Sequence, residues 1–123
     1  MIGYVTIGTS DMPKALDFYD ELLAEIGGKR VMGMDRIQFY ANGKGAMLAV
    51  CVPYDEQQQH CGNGVMVAID AGSAEMSEKL YNKAISLGAT CEGEPGQRLP
   101  IFFGAYVRDL DGNKLCFYHM SQG

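Results

Sequence analysis

Positive charge is scarce in this chain: 10 lysines and arginines stand against 15 aspartates and glutamates, a net charge of −5. Duplex nucleic acid and anionic membrane surfaces reward clustered Lys and Arg, so neither is expected as a partner. Long apolar runs are missing too, and none approaches the length needed to span a bilayer. No CxxC pair occurs, and a structural zinc site built on paired cysteines has no support. The opening stretch "MIGYVTIGTSDM" lacks a basic leader region and a cleavage pattern, so a cytoplasmic location is expected. In that reducing setting Cys51, Cys61, Cys91 and Cys116 are expected to be free thiols.

What remains is an ordinary globular composition, 47% hydrophobic and 20% charged over 123 residues, enough for one domain with a real core. "YVTIG" (4–8) alternates and is rich in β-branched residues, the pattern of a strand. "SDMPKALDFYDELLAEIGG" follows as a helix capped by Ser10 or Asp11, with Pro13 in its first turn and Gly27-Gly28 at its end. "KRVMGM", "RIQFYA" and "AMLAVCV" read as three further strands, and "PYDEQQQHCG" (53–62) as a polar link. The order then repeats: "VMVAID" (65–70), a helix over "SAEMSEKLYNKAISLG", and strands near 89–94, 102–108 and 114–119. "GEPGQRLP" (93–100) reads as a turn-rich loop able to act as a flap.

A shift of 62 residues superimposes the halves, setting Tyr4 on Met66, Val5 on Val67, Ile7 on Ile69 and Tyr19 on Tyr81. The chain therefore reads as a duplicated βαβββ module, about 1–52 and 63–120. The fold class is α+β, an open, cupped mixed sheet with helices on its outer face. Strand alternation then sorts the side chains. Val5, Ile7, Val65, Val67, Ile69, Leu115 and Phe117 share the parity that packs under the helices. Tyr4, Thr6, Met66, Ala68, Cys116 and Tyr118 take the opposite, concave face.

Two βαβββ halves, the Phe18-Tyr19 pair inside the first helix and the "RDLDGNKLCFY" ending together resemble the vicinal-oxygen-chelate superfamily. That group includes glyoxalase I, bleomycin- and fosfomycin-resistance proteins and extradiol dioxygenases. Leu110 stands where the family usually has proline. The resemblance implies a cup formed by both modules and often completed by dimerisation. It also implies one divalent metal held by His and Glu from the first and last strands of each module. The matching positions here are Tyr4, Met66, Cys116 and either Met47 or Ala49. A phenol, a thioether and a thiol do not make a hard-metal site, so neither metal nor other cofactor is expected.

The Asp111-Gly112-Asn113 turn is then expected to serve the hairpin alone, supplying positive φ angles. Cys116 reads as a small apolar residue of the cup wall, His119 as a strand-end residue on the other face, and His60 as part of a solvated link. Arg108 either holds an anionic group or pairs with Asp109 or Asp111. The ligand-binding residues expected from this pattern are Tyr4, Thr6, Met66, Arg108, Cys116 and Tyr118. The function expected is metal-free binding or sequestration of a small molecule, partly aromatic or anionic, by a homodimer. The alternative is an enzyme of the same superfamily acting without metal through Cys116, Tyr4 and Tyr118.

Overall fold

The computed structural model of the chain describes residues 1–121. Ten elements follow one another: β1 (Tyr4–Gly8), α1 (Met12–Ala24), β2 (Lys29–Met34), β3 (Ile37–Ala41), β4 (Met47–Cys51), β5 (Val67–Asp70), α2 (Ala74–Ser86), β6 (Thr90–Leu99), β7 (Phe102–Arg108) and β8 (Lys114–Met120). They divide into two compact units, residues 1–61 and 62–123. Each unit holds one four-stranded mixed sheet and one helix. The first sheet has the order β1-β4-β3-β2 and the second β5-β8-β7-β6. In both, the first strand runs parallel to the last, and the remaining pairs are antiparallel. The 62-residue shift carries α1 onto α2 residue for residue, 12–24 onto 74–86. Among the described residues, no helix is long and apolar enough to cross a membrane.

The helix starts obey local chemistry. Asp11 caps α1 by accepting the Lys14 amide at 3.2 Å, and Ser73 caps α2 by accepting the Met76 amide at 3.0 Å. Gly27, at φ 76°, lets the chain leave α1, and the Gly28 amide closes back on the Leu23 carbonyl at 2.7 Å. Helix α1 buries Ala15, Phe18, Tyr19, Leu22 and Leu23, and α2 buries Ser77, Leu80 and Ala84. Tyr40 projects from β3 beneath α1, where its hydroxyl donates to Asp20 at 2.7 Å. Its strand partner Leu48 lies on the same face, as do Val50 and Ile7. In the second sheet Ala105, Val107, Leu115 and Phe117 share the corresponding face and are all fully buried.

Three expectations need correction. Residues 93–100 form no flap: β6 continues to Leu99. It is an edge strand with irregular register at Gly93, Gly96 and Leu99, and such a strand tolerates Pro95. Val65 does not pack under a helix, because β5 begins only at Val67 and Val65 is 62% exposed beside a turn. In the turn before β8, only Gly112 takes a positive φ, 87°. The organiser is Asp109, whose buried carboxylate accepts the amides of Asp111 at 2.9 Å and Asn113 at 2.8 Å, and the Asn113 side chain at 3.0 Å.

Candidate ligand-binding faces

Strand register fixes which side chains share the face of each sheet turned away from its helix. In the first sheet Tyr4 stands opposite Met47 and Thr6 opposite Ala49, and Ala49 in turn stands opposite Phe39. The centre of that face is an apolar cluster of Ile37, Phe39 and Ala49 with Met47 and Cys51 packed on it. The Tyr4 ring meets Phe39 edge-on at 5.0 Å. Tyr4 and Thr6 are thus brought together, with Tyr4 half exposed.

In the second sheet Cys116 stands between Ala68 and Tyr106, and Tyr118 between Asp70 and Gly104. Tyr106, Arg108, Lys114, Cys116 and Tyr118 therefore share one face. Met66 lies just before β5 and is 43% exposed. The Phe102 ring folds over Gly104 and stacks on Tyr118, 5.5 Å between centroids and 6° between planes. Beside that stack, the Tyr106 ring carries two cations: the Arg98 guanidinium and the Lys114 ammonium, each 5.5 Å from its centroid. Arg108 is engaged elsewhere. Its Nε donates to Glu92 at 2.8 Å and its Nη1 to the Gly112 carbonyl at 3.0 Å, so neither Asp109 nor Asp111 is its partner in these contacts.

Burial governs the titration of this face. It pushes the Cys116 thiol up, and the hydrogen bond from Tyr106 and the charges of Arg98 and Lys114 pull it only partly back. Burial also raises Tyr106, with Cys116 adding to the effect, and raises Tyr118, with Asp70 and Cys116 adding to it. Cys116 is 1% exposed, so a ligand on this face meets Tyr106 before it meets the sulfur. A thiol held protonated and covered is a poor nucleophile and a poor metal ligand.

The register also resolves which residue of the first sheet corresponds to Cys116. Cys116 pairs with Ala68, Ala68 corresponds to Thr6 by the 62-residue shift, and Thr6 pairs with Ala49. The four positions matching the metal ligands of the resembling enzymes are therefore Tyr4, Ala49, Met66 and Cys116. These residues do not fit a divalent metal: they offer a phenol, a methyl group, a thioether and a buried thiol. Among the described residues, no group of three or more His, Cys, Asp or Glu could hold a metal ion.

Arg98, Lys114 and Tyr106 were not among the residues expected to bind. Lys114 and Tyr106 have the parity of Cys116 and Arg108, and alternation alone could have marked them. Arg98 sits beyond two irregularities of β6, where counting by twos fails.

Two helices, each laid on one face of a β-β-β-β sheet with its first and last strands parallel, define a paired βαβββ protein. Residues 1–117 match the family model of the Glyoxalase/Bleomycin resistance protein/Dioxygenase superfamily, and the chain belongs to that superfamily. A glyoxalase/bleomycin resistance protein from Albidiferax ferrireducens is 31% identical, with a TM-score of 0.89 over 97% of this chain and 98% of that one. A glyoxalase/bleomycin resistance protein/dioxygenase family enzyme from Burkholderia phytofirmans shares the fold at 19% identity, TM-score 0.78, over 96% and 97% of the two chains. So does a glyoxalase-related enzyme from Fulvimarina pelagi, at 18% identity and TM-score 0.76 over 97% and 87%. No curated protein matches the chain.

Proposed function

We propose that this chain is a metal-independent small-molecule binding protein of the superfamily, one that holds or sequesters its ligand and works as a cytoplasmic homodimer. The observation that supports the reading is the chemistry of Tyr4, Ala49, Met66 and Cys116, a phenol, a methyl group, a thioether and a buried thiol with no imidazole or carboxylate among them. A ligand would rest on side chains rather than on an ion. Tyr118 and Phe102 supply a flat aromatic surface, and Tyr4 with Phe39 supplies another. The enzyme reading through Cys116 is weakened by the burial that raises the thiol pKa.

Dimerisation is supported by the edge strand β2, whose residues are all exposed and include Val31, Met32 and Met34. An apolar edge of this kind is suited to being covered by a second copy. Sedimentation at micromolar concentration is expected to show twice the 13.4 kDa chain mass, and a 13.4 kDa particle at high concentration would refute it.

The test of the binding reading is a thermal-shift screen of aromatic metabolites and drugs, run with a chelator present throughout. Stabilisation by a class of small molecules under chelation is the expected result. Stabilisation that appears only when divalent metal is supplied would overturn it.

A further inference from the structure

We infer that the second sheet binds a small molecule made of an anionic head on a flat aromatic body, the head held between Arg98 and Lys114 and the body laid on Phe102 and Tyr118. This rests on the proposed binding function and names the class of ligand for it.

Three observations carry the inference. The first is charge. In a chain of net charge −5, two cations converge on one ring, and among the described residues neither Arg98 nor Lys114 is ion-paired with a carboxylate. The charges of Arg108 and Arg30 are by contrast matched, by Glu92 at 2.8 Å and Asp20 at 2.9 Å. Arg98 is anchored without being neutralised, through donation from Nη2 to the Glu94 carbonyl. Nor do the two cations serve to ionise Cys116, since burial outweighs them and the thiol stays up.

The second is space. A Cβ on Gly93 would stand 2.9 Å from Tyr106 Cδ2 and 3.3 Å from Arg98 Nη2, and a Cβ on Gly96 would stand 2.8 Å from Arg98 Nη1. A Cβ on Gly104 would stand 2.8 Å from Phe102 Cε1. Missing side chains at these three places let a guanidinium and two rings lie low on the strands. The third is spacing. The Tyr106–Cys116 pair and the Gly104–Tyr118 pair are two residues apart along their strands, roughly 7 Å. That matches the distance from a carboxylate to the far side of a fused aromatic ring. Arg98 supplies a planar fork suited to the head, and Lys114 a point charge beside it.

The test uses the full chain and three isosteric probes, 2-naphthoate, 2-naphthamide and 2-naphthylmethylamine, titrated by calorimetry at low salt with and without a chelator. The carboxylate is expected to bind at least about ten-fold more tightly than the amide, as loss of a charge-assisted contact implies, and to weaken as salt rises. Arg98→Gln and Lys114→Gln should each cost about ten-fold for naphthoate and little for the amide. Gly96→Ala, which keeps both charges but displaces the guanidinium, should weaken naphthoate, and Arg36→Gln in the first unit should not. Equal binding of carboxylate and amide, unmoved by these variants, would overturn the anionic-head assignment and leave small-molecule binding standing. Binding of naphthoate that needs added divalent metal, yet still depends on Arg98, would overturn metal independence and leave the assignment standing. Silence of all three probes, with Phe102 and Tyr118 intact, would overturn both.

Discussion

The two sheets share one topology and part company on the faces turned from their helices. The first centres on Ile37, Phe39 and Ala49, an apolar cluster rimmed by Met47, Cys51 and Tyr4. At its centre there is little for a polar group to recognise. The second sets Arg98 and Lys114 around Tyr106 beside the Phe102–Tyr118 stack, with glycines clearing the floor. The scaffold is the same in both, a helix over a four-stranded sheet of matching strand order. The other face is freer to diverge, since its residues alternate with the core and can change without moving it. The contrast shows that one strand topology can carry two chemically different faces, one apolar and one cationic and aromatic.

Substitutions at corresponding places should expose both the likeness and the difference. The largest effect is expected in the shared core. Phe117 on β8 and Val50 on β4 occupy equivalent positions, since Phe117 pairs with Ile69 and Val50 with Ile7, which the 62-residue shift equates, and both are buried. Phe117→Ala should cost about 3–5 kcal/mol in urea unfolding, through lost burial and a cavity. Val50→Ala removes two methyl groups and should cost about 2 kcal/mol. Equal losses would contradict the view that the second sheet packs the larger group.

The connections before the last strands should separate next. Asp109 accepts three hydrogen bonds as a buried carboxylate, whereas Asn42 accepts the Lys44 amide at 3.0 Å and donates to the Ile26 carbonyl at 3.3 Å. Asp109→Ala is expected to cost about 1.5–3 kcal/mol and Asn42→Ala about 0.5–1.5 kcal/mol, the difference between charged and neutral acceptors. Reversal of that order in chemical denaturation would remove Asp109 as the organiser of its turn.

The pH response should be the smallest and should belong to the second sheet. The folded Cys116 thiol holds its proton above the unfolded value of roughly 8.5, so the native chain binds more protons than the unfolded chain in that window. Stability contributed by this group is present below that pH and declines as pH rises through the folded pKa. Cys116→Ala should flatten the alkaline fall in the urea midpoint, and alkylation of Cys116 in the native protein should need alkaline pH or opening of the sheet. Rapid alkylation of Cys116 at neutral pH would restore the enzyme reading.

Most of the scaffold was legible in the residues themselves. Strands 4–8, 29–34 and 102–108 carry unbroken alternation or clear glycine and charge punctuation, and their observed limits agree. β6 was shortened because Gly93, Pro95, Gly96 and Pro100 carry turn chemistry, and only pairing with β7 holds that segment extended. The same irregularity hid Arg98. Arg108 was visible as a cation of the right parity, but its pairing with Glu92 joins residues 16 apart and depends on how β6 bends. Tyr4 and Thr6 on one sheet, and Cys116 and Tyr118 on the other, lie on the faces that alternation assigned within each sheet.

The central claim is that this member of the superfamily binds without metal, and elemental analysis of the purified protein tests it most directly. Tyr4, Ala49, Met66 and Cys116 cannot replace a set of imidazoles and carboxylates, and each lost ligand weakens an ion further. The account predicts no stoichiometric divalent metal and a melting temperature unchanged by chelator. One tightly held divalent ion per chain, removed by chelator with a fall in melting temperature, would contradict it.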